Sequence, residues 1–236
     1  MLDKRKKNIL EFVINEHLKQ GKPVGSQQLA LVDRVRVSSA TIRNEMAELE
    51  AQGYLHQPHT SAGRIPTELG WRYYLDNLLS DAKLSEKELQ FLKKSHLAAQ
   101  KSGDHPVKSL AKALAEVTQD AIMVGFSPND YYYTGLGNLL TKPEFHSVNL
   151  MEHLSEVVNH LDEAMLEIFK RKDLQEINTW VGEEHPFGRD CSVVFANIDL
   201  PSQQLGILGI LGPLRQNYAA NIARLKHSIK LLASNK

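Results

Sequence analysis

From Ser38 to Gly53 the chain reads SSATIRNEMAELEAQG, and the larger apolar residues in it are only Ile42, Met46 and Leu49. They recur at i, i+4 and i+7, the period of a helix lying on a core along one thin edge. Ser38 suits the N-cap, because its hydroxyl can accept from a backbone N–H of the first turn, and Gly53 suits the end of the helix. Everything off that edge must face solvent or a partner. Measured from Ile42 at about 100° per residue, Ala40, Arg43, Asn44 and Ala47 fall at about 160°, 100°, 200° and 140°, opposite the stripe. A helix this polar cannot fold alone, so its neighbours have to supply the scaffold.

Those neighbours are short. Lys4 to Gln20 carries Ile9, Phe12 and Val13 at helical spacing and stops at Gly21. Pro23 and Gly25 break the chain, Ser26 offers an N-cap hydroxyl, and Leu29 with Val32 marks a brief second helix. The helix from Ser38 is the third. After it, Tyr54 and Leu55 begin an extended run, HTSAG supplies turn residues and Arg64 to Pro66 returns, which predicts a small hairpin. Thr67 to Leu79 then reads as a helix. Three short helices followed by a hairpin, over residues 1–80, suggest a helix-turn-helix with a wing.

A helix laid in the major groove reads bases with its first two turns, where side chains must be short or hydrogen-bonding and must face away from the core. Arg43 can grip guanine, Asn44 can do the same for adenine, and Ala40 and Ala47 can touch a thymine methyl. Ser38, Ser39 and Thr41 stand at the helix N-terminus, where hydroxyls and unpaired N–H groups suit a phosphate. His59 and Arg64, from the wing, are in reach of a neighbouring phosphate or the minor groove. Overall charge does not advertise this partner, since Lys plus Arg and Asp plus Glu number 28 each. Its distribution does: Arg34 to Asn44 holds Arg34, Arg36 and Arg43 with no acid, and Tyr54 to Thr67 holds Arg64, His56 and His59 with none. The competing reading is a helical interaction module, in which Ser38 only caps, Arg43 is solvated and 54–66 is an ordinary loop.

Beyond residue 80 the pattern changes. Leu84 to Gln100 is helical in period, with Leu89, Leu92 and Leu97 apolar, and KSGDHP breaks it, so 81–106 reads as a helical linker. Val107 to Gln119 predicts another helix, AIMVGF a buried strand, SPND a turn and Tyr131 to Thr134 a second strand. A long helical period follows over Leu150 to Lys170, with Leu154, Val157, Val158, Leu161 and Leu166 inward. TWVG, CSVVFANI and LGILGILG then predict antiparallel strands, and Ile222, Leu225, Ile229 and Leu232 a final helix.

Other chemistry finds less support. The single cysteine, Cys191, excludes an intramolecular disulfide and points to a reducing compartment, the cytoplasm. Polar residues interrupt every apolar run long enough for a signal core or a membrane span, so no membrane is expected. Cys191 with His185 and Asp190 lies in one loop, a poor source of a converging triad, and no enzyme is expected. Glycines 206, 209 and 212 lack the setting of a phosphate loop and read as close packing or strand ends. His153, Glu156 and His160 share a helical face, yet a metal site needs three or four convergent ligands, and His146 lies off that face. Tyr131, Tyr132, Tyr133 and Trp180 read as core or interface aromatics, with a small-ligand pocket as the alternative. No cofactor and no metal are expected, and a ligand- or metal-responsive regulator stands as the second reading.

The segments GKPVGSQQLA and VSSATIRNEMAELEAQGYLHQPHTSAGRIPTELGWRYYLD resemble the N-terminal signature of the HrcA family of heat-inducible transcription repressors. GLGNLLTKPEF, VGEE and GILGILGPLRQNY continue the resemblance in family order. It implies an α+β chain: a winged helix-turn-helix domain over 1–80, the linker, and a reduced GAF-like α/β domain with an antiparallel sheet over 107–236. It further implies a homodimer on an inverted-repeat operator upstream of chaperone genes, kept active by a GroEL-type chaperonin that heat diverts to unfolded clients. One departure stands out. Between LAEVTQDAIMVGFSP and YYYTGLGNLL the family carries a long segment that includes a dimerisation element, and here only Asn129 and Asp130 bridge the two.

Overall fold

A computed structural model describes residues 2–30, 38–143, 161–171, 174–200 and 204–234. The chain divides into two compact units, Met1–Ser80 and Asp81–Lys236.

In the first unit α1 (Lys4–Gln20) begins at Asp3, whose carboxylate accepts the Lys6 N–H, and ends at Gly21 in the left-handed region. Its inner face, Ile9, Leu10, Val13 and Ile14, is fully buried. The second helix, α2 (Ser26–Ala30), already includes Ser26; the Gln28 side chain accepts the Gly25 N–H, so Ser26 is not the cap expected of it. Then come α3 (Ser39–Ala51), the strands β1 (Leu55–His56) and β2 (Ile65–Pro66), and α4 (Glu68–Asn77), capped by Thr67. On α4 the buried residues are Gly70, Trp71 and Tyr74, while Leu69 is exposed. Arg34 and Arg36, part of the expected basic stretch, lie outside the described residues, as does Val32.

The second unit opens with α5 (Glu86–Ser102), started by a capping box between Ser85 and Glu88, so the stretch expected as a linker lies within this unit. Its buried residues are Leu92, His96 and Ala99, and Leu97 is exposed. Next come α6 (Pro106–Thr118), β3 (Ala121–Ser127), β4 (Asp130–Thr134) and α7 (Leu136–Leu140). They are followed by α8 (Leu161–Lys170), β5 (Ile177–Val181), β6 (Cys191–Asp199), β7 (Leu205–Pro213) and α9 (Tyr218–Ala233). The five strands form one antiparallel sheet in the order β4-β3-β7-β6-β5. Met123, Val193, Phe195, Ile207 and Leu211 share a core with Leu139, Leu161, Met165 and Ile168. The alternate residues Ile122, Val124, Val194 and Ile210 are buried too, and α6 and α9 pack on β3 and β6, so both faces of the sheet are covered. This mixed helix-and-sheet unit fits a reduced GAF-like domain.

Packing decides three points that the sequence raised. Leu166 is exposed because the buried face of α8 runs through Leu161, Ala164, Met165 and Ile168. On α9 the fully covered residues are Tyr218, Asn221, Leu225 and Ser228, with Ile222, Ile229 and Leu232 half-buried, because a polar network occupies that seam. The glycines of β7 do allow close packing: a Cβ on Gly209 would lie 2.7 Å from Met123 Cε, and one on Gly206 would lie 2.8 Å from the Gly125 carbonyl oxygen. The rest of the long helix expected from Leu150, with His153, Glu156 and His160, and His146 before it, lies outside the described residues. At the place where the resemblance implied a longer segment, Pro128 and Asn129 make a two-residue hairpin turn that pairs Ser127 with Asp130.

Candidate nucleic-acid interface

On α3 the thin stripe behaves as its period requires: Ile42, Met46 and Leu49 have no exposed surface. Ala40, Arg43, Asn44 and Ala47 are exposed, as is Ser38, while Ser39 and Thr41 are half-buried. Ser38 Oγ accepts the Thr41 N–H at 3.2 Å and lies 3.0 Å from Thr41 Oγ1, so the two hydroxyls are paired at the helix start. At the other end Tyr54 N–H donates to the Leu49 carbonyl and Gly53 N–H to that of Glu50, both at 2.9 Å, with Gly53 at φ +80°. This double closure turns the chain directly into the hairpin.

Two acids of α3, Glu45 and Glu48, are held by α1. Arg5 Nη1 is 3.2 Å from Glu45, and Lys6 Nζ is 3.1 Å from Glu45 and 3.0 Å from Glu48. Hydrogen bonds to Glu48, Asp3 and Glu45 hold the Lys6 ammonium above its ordinary pKa. Such surface pairs add little stability, but they offset negative charge beside the exposed face. Arg43 makes no ion pair with a described residue.

Glu50 and two glycines fix the hairpin. One Glu50 oxygen accepts the Gln57 N–H and the other accepts Arg64 Nε, each at 2.9 Å, so both arms are tied to α3. Val24 and Arg64 exchange two backbone hydrogen bonds at 2.9 Å, which sets the segment before α2 against β2. A Cβ on Gly63 would sit 2.4 Å from the Val24 carbonyl carbon, and one on Gly70 would sit 2.2 Å from the Tyr54 oxygen. Only glycine permits these approaches. His59 is exposed on the loop. Arg64, expected to reach a phosphate, has its guanidinium on Glu50 and a side chain only 12% exposed, so its visible work is attaching the hairpin.

Between the hairpin loop and the segment entering α2 lies an open cleft of about 700 Å³, walled by Ser26, Gln27, Arg43, Gln57, Thr60 and Ser61 among others. Sequence reasoning missed this cleft and the Glu50 clamp. SAG and GS were legible only as turn residues, and nothing in their spacing says that they face each other.

The triad considered for Cys191 dissolves in the structure. His185 Nε2 is 3.1 Å from the Cys191 carbonyl oxygen and Nδ1 accepts the Phe187 N–H at 3.1 Å, so the ring is a neutral strut between backbone groups. Burial lowers the His185 pKa to about 4 and, with Asp190 adding, raises that of the Cys191 thiol to about 12. A thiol so placed is inert at neutral pH. Among the described residues no group of three or more His, Cys, Asp or Glu is placed to hold a metal, and no helix is long and apolar enough to cross a membrane.

The sequence model of the HrcA protein C-terminal domain matches residues 71–222. The chain belongs to the HrcA family. The heat-inducible transcription repressor HrcA of Fructilactobacillus sanfranciscensis is 30% identical over 96% of this chain and 73% of its own length. HrcA of Carboxydothermus hydrogenoformans is 27% identical over 99% of this chain and 98% of itself. That second alignment runs over 335 positions against the 236 residues here, so the relative carries segments that this HrcA-family chain lacks. A crystal structure described only as a hypothetical protein superposes with a TM-score of 0.77 at 18% identity, covering 99% of this chain and 98% of the other, which extends the likeness in fold over the whole chain.

Proposed function

We propose that this HrcA-family chain is a heat-inducible transcription repressor whose first unit is a winged helix-turn-helix domain that binds double-stranded DNA. The observation that carries the reading is the division of α3: Ile42, Met46 and Leu49 wholly buried, and Ala40, Arg43, Asn44 and Ala47 exposed on the opposite side. A helix so divided presents hydrogen-bonding and small side chains to the major groove while its start, with Ser38, Ser39 and Thr41, meets a phosphate. The hairpin with His59 and Arg64 is the wing.

The chain acts as a cytoplasmic homodimer on an inverted-repeat operator of chaperone genes, and a GroEL-type chaperonin maintains its active state until heat diverts it. The reduced GAF-like domain, with residues 81–106 leading into it, carries regulation and dimerisation. Gel-shift titration against a chaperone-operon inverted repeat tests the first step, since specific sites bind about 10³-fold or more tighter than random sequence. Equal affinity for scrambled DNA at moderate salt rejects a sequence-specific repressor. Repeating the titration with and without chaperonin across a temperature ramp tests the second step, and an operator affinity indifferent to chaperonin rejects it.

A further inference from the structure

The cleft beside α3 has a composition that suits one kind of guest. Its walls hold hydroxyls and amides on Ser26, Gln27, Gln28, Gln57, Thr60 and Ser61, together with Arg43 and the Glu50-paired Arg64, and none of its described lining residues is Asp or Glu. Glu50, which bonds two of the lining residues, is taken up by Arg64 and the Gln57 N–H. Neutral donors and the Arg43 cation, with no carboxylate among the described lining residues, make a setting for a diester-linked phosphate chain, which needs many donors.

The cleft is also pre-shaped. The Val24–Arg64 backbone pair joins its two walls, and Gly63 lets them approach to a distance that no other residue allows. Gln57 Nε2 donates to the Thr60 and Ala62 carbonyl oxygens at 3.1 and 2.8 Å, which holds the loop closed on itself. Gln27, Thr60 and Ser61 are exposed and Ser26 is half-buried, so their side chains are open to a ligand. A rigid, donor-rich slot wastes little ordering entropy when a chain enters it.

We infer that this cleft seats the sugar-phosphate backbone of one strand of the duplex, with Ser26, Gln27, Thr60 and Ser61 as phosphate contacts beside Arg43. This deepens, and rests on, the reading of α3 as a groove-binding helix. The contact is blind to sequence: it fixes where the domain sits on the duplex while Arg43 and Asn44 select bases. The cleft therefore takes over the anchoring role that the sequence suggested for Arg64.

The test uses the full chain and a fluorescein-labelled duplex of mixed sequence, titrated by fluorescence anisotropy over a range of potassium chloride concentrations. Ser26→Lys and Ser61→Lys each place an ammonium where a phosphate should lie, and Asn77→Lys, at an exposed position at the end of α4, is the charge-matched control. Each cleft variant is expected to bind more tightly and to steepen the log affinity against log salt slope by about 0.9 relative to the control. Ser26→Glu and Ser61→Glu are expected to lose about tenfold or more at low salt, on two duplexes of different base composition alike. Cleft lysines that behave as Asn77→Lys does, in a protein whose wild type binds duplex normally, overturn the cleft and leave the α3 reading standing. A wild-type chain that binds no duplex at low salt overturns both.

Discussion

Arg43 and Asn44 are exposed next to Ile42, which is sealed in the core, so a change at either is felt at the surface and not in the fold. Arg43→Ala or Asn44→Ala is expected to cost about 1 to 3 kcal/mol of operator affinity where the contact is bidentate and to relax base preference at one position. Competition between operator variants measures this, and a uniform loss on all sequences counts against base reading. His185 carries a different prediction. Its ring is buried and neutral with a pKa lowered to about 4, while the unfolded chain titrates near the ordinary histidine value. Above that ordinary value both states are neutral. As pH falls from about 6.5 to about 4 the unfolded state gains a proton that the folded state refuses, so up to about 3 kcal/mol of stability is lost over that window. Urea titrations across the window check it, and His185→Gln is expected to flatten the dependence. The exposed face of α3 was legible because angle follows from helical period alone. The burial of His185 was not, since the loop conformation that brings the Phe187 N–H and the Cys191 carbonyl onto its ring leaves no periodic mark in the sequence.

At the level of elements, the hairpin depends on a few fixed points more than on its two-residue strands. Gly63→Ala pushes a methyl group to 2.4 Å from the Val24 carbonyl carbon, against backbone that has little room to retreat. A loss of about 1 to 3 kcal/mol in thermal unfolding is expected, with weaker binding to every duplex. Arg64→Ala is likewise expected to weaken all sequences alike. It releases the hairpin arm and leaves the Glu50 carboxylate without its guanidinium, near where a phosphate would lie. Adding Glu50→Gln is expected to restore part of that affinity, and a change in base preference alone contradicts the attachment role. A hairpin was readable from HTSAGRIP, whose turn residues stand between two short extended runs. Its clamp to Glu50 was not, because a contact across seven or fourteen residues leaves no periodic mark.

Across the molecule, polar side chains join elements far apart in the chain. In the second unit Arg224 donates to Glu88 Oε1 at 2.6 Å and to Asn221 Oδ1 at 2.7 Å, Asn221 donates to Gln216, and Gln216 donates to the Ser192 hydroxyl. The bond from Arg224 holds the Glu88 carboxyl below its usual pKa. One network thus ties the start of α5 to α9 and the sheet. Arg224→Ala strands partners that are largely out of water and is expected to cost about 2 kcal/mol in chemical denaturation, where a fully buried pair would cost more. Oligomeric state belongs to this scale too. Light scattering on a duplex with two half-sites is expected to give two chains per duplex, because the proposed inverted-repeat operator calls for a two-fold protein. A single chain at saturation argues against the dimer.

The sequence by itself determined the order and kind of most elements, because helical and strand periods, caps and glycine breaks act within a few residues of each other. It also determined which side of α3 is free to meet a partner, since burying Ile42, Met46 and Leu49 leaves Arg43 and Asn44 outward. Tertiary structure alone decided that Arg64 is spent on Glu50, that Gly63 and Gly70 are demanded by Val24 and Tyr54, and that Asn221 and Ser228 take positions that period would give to leucine or isoleucine. It also decided that Ser26 and Ser61 face one cleft. Contacts of this kind depend on where distant segments meet, and a hydrogen bond or a close backbone approach is set by that meeting and not by any local preference.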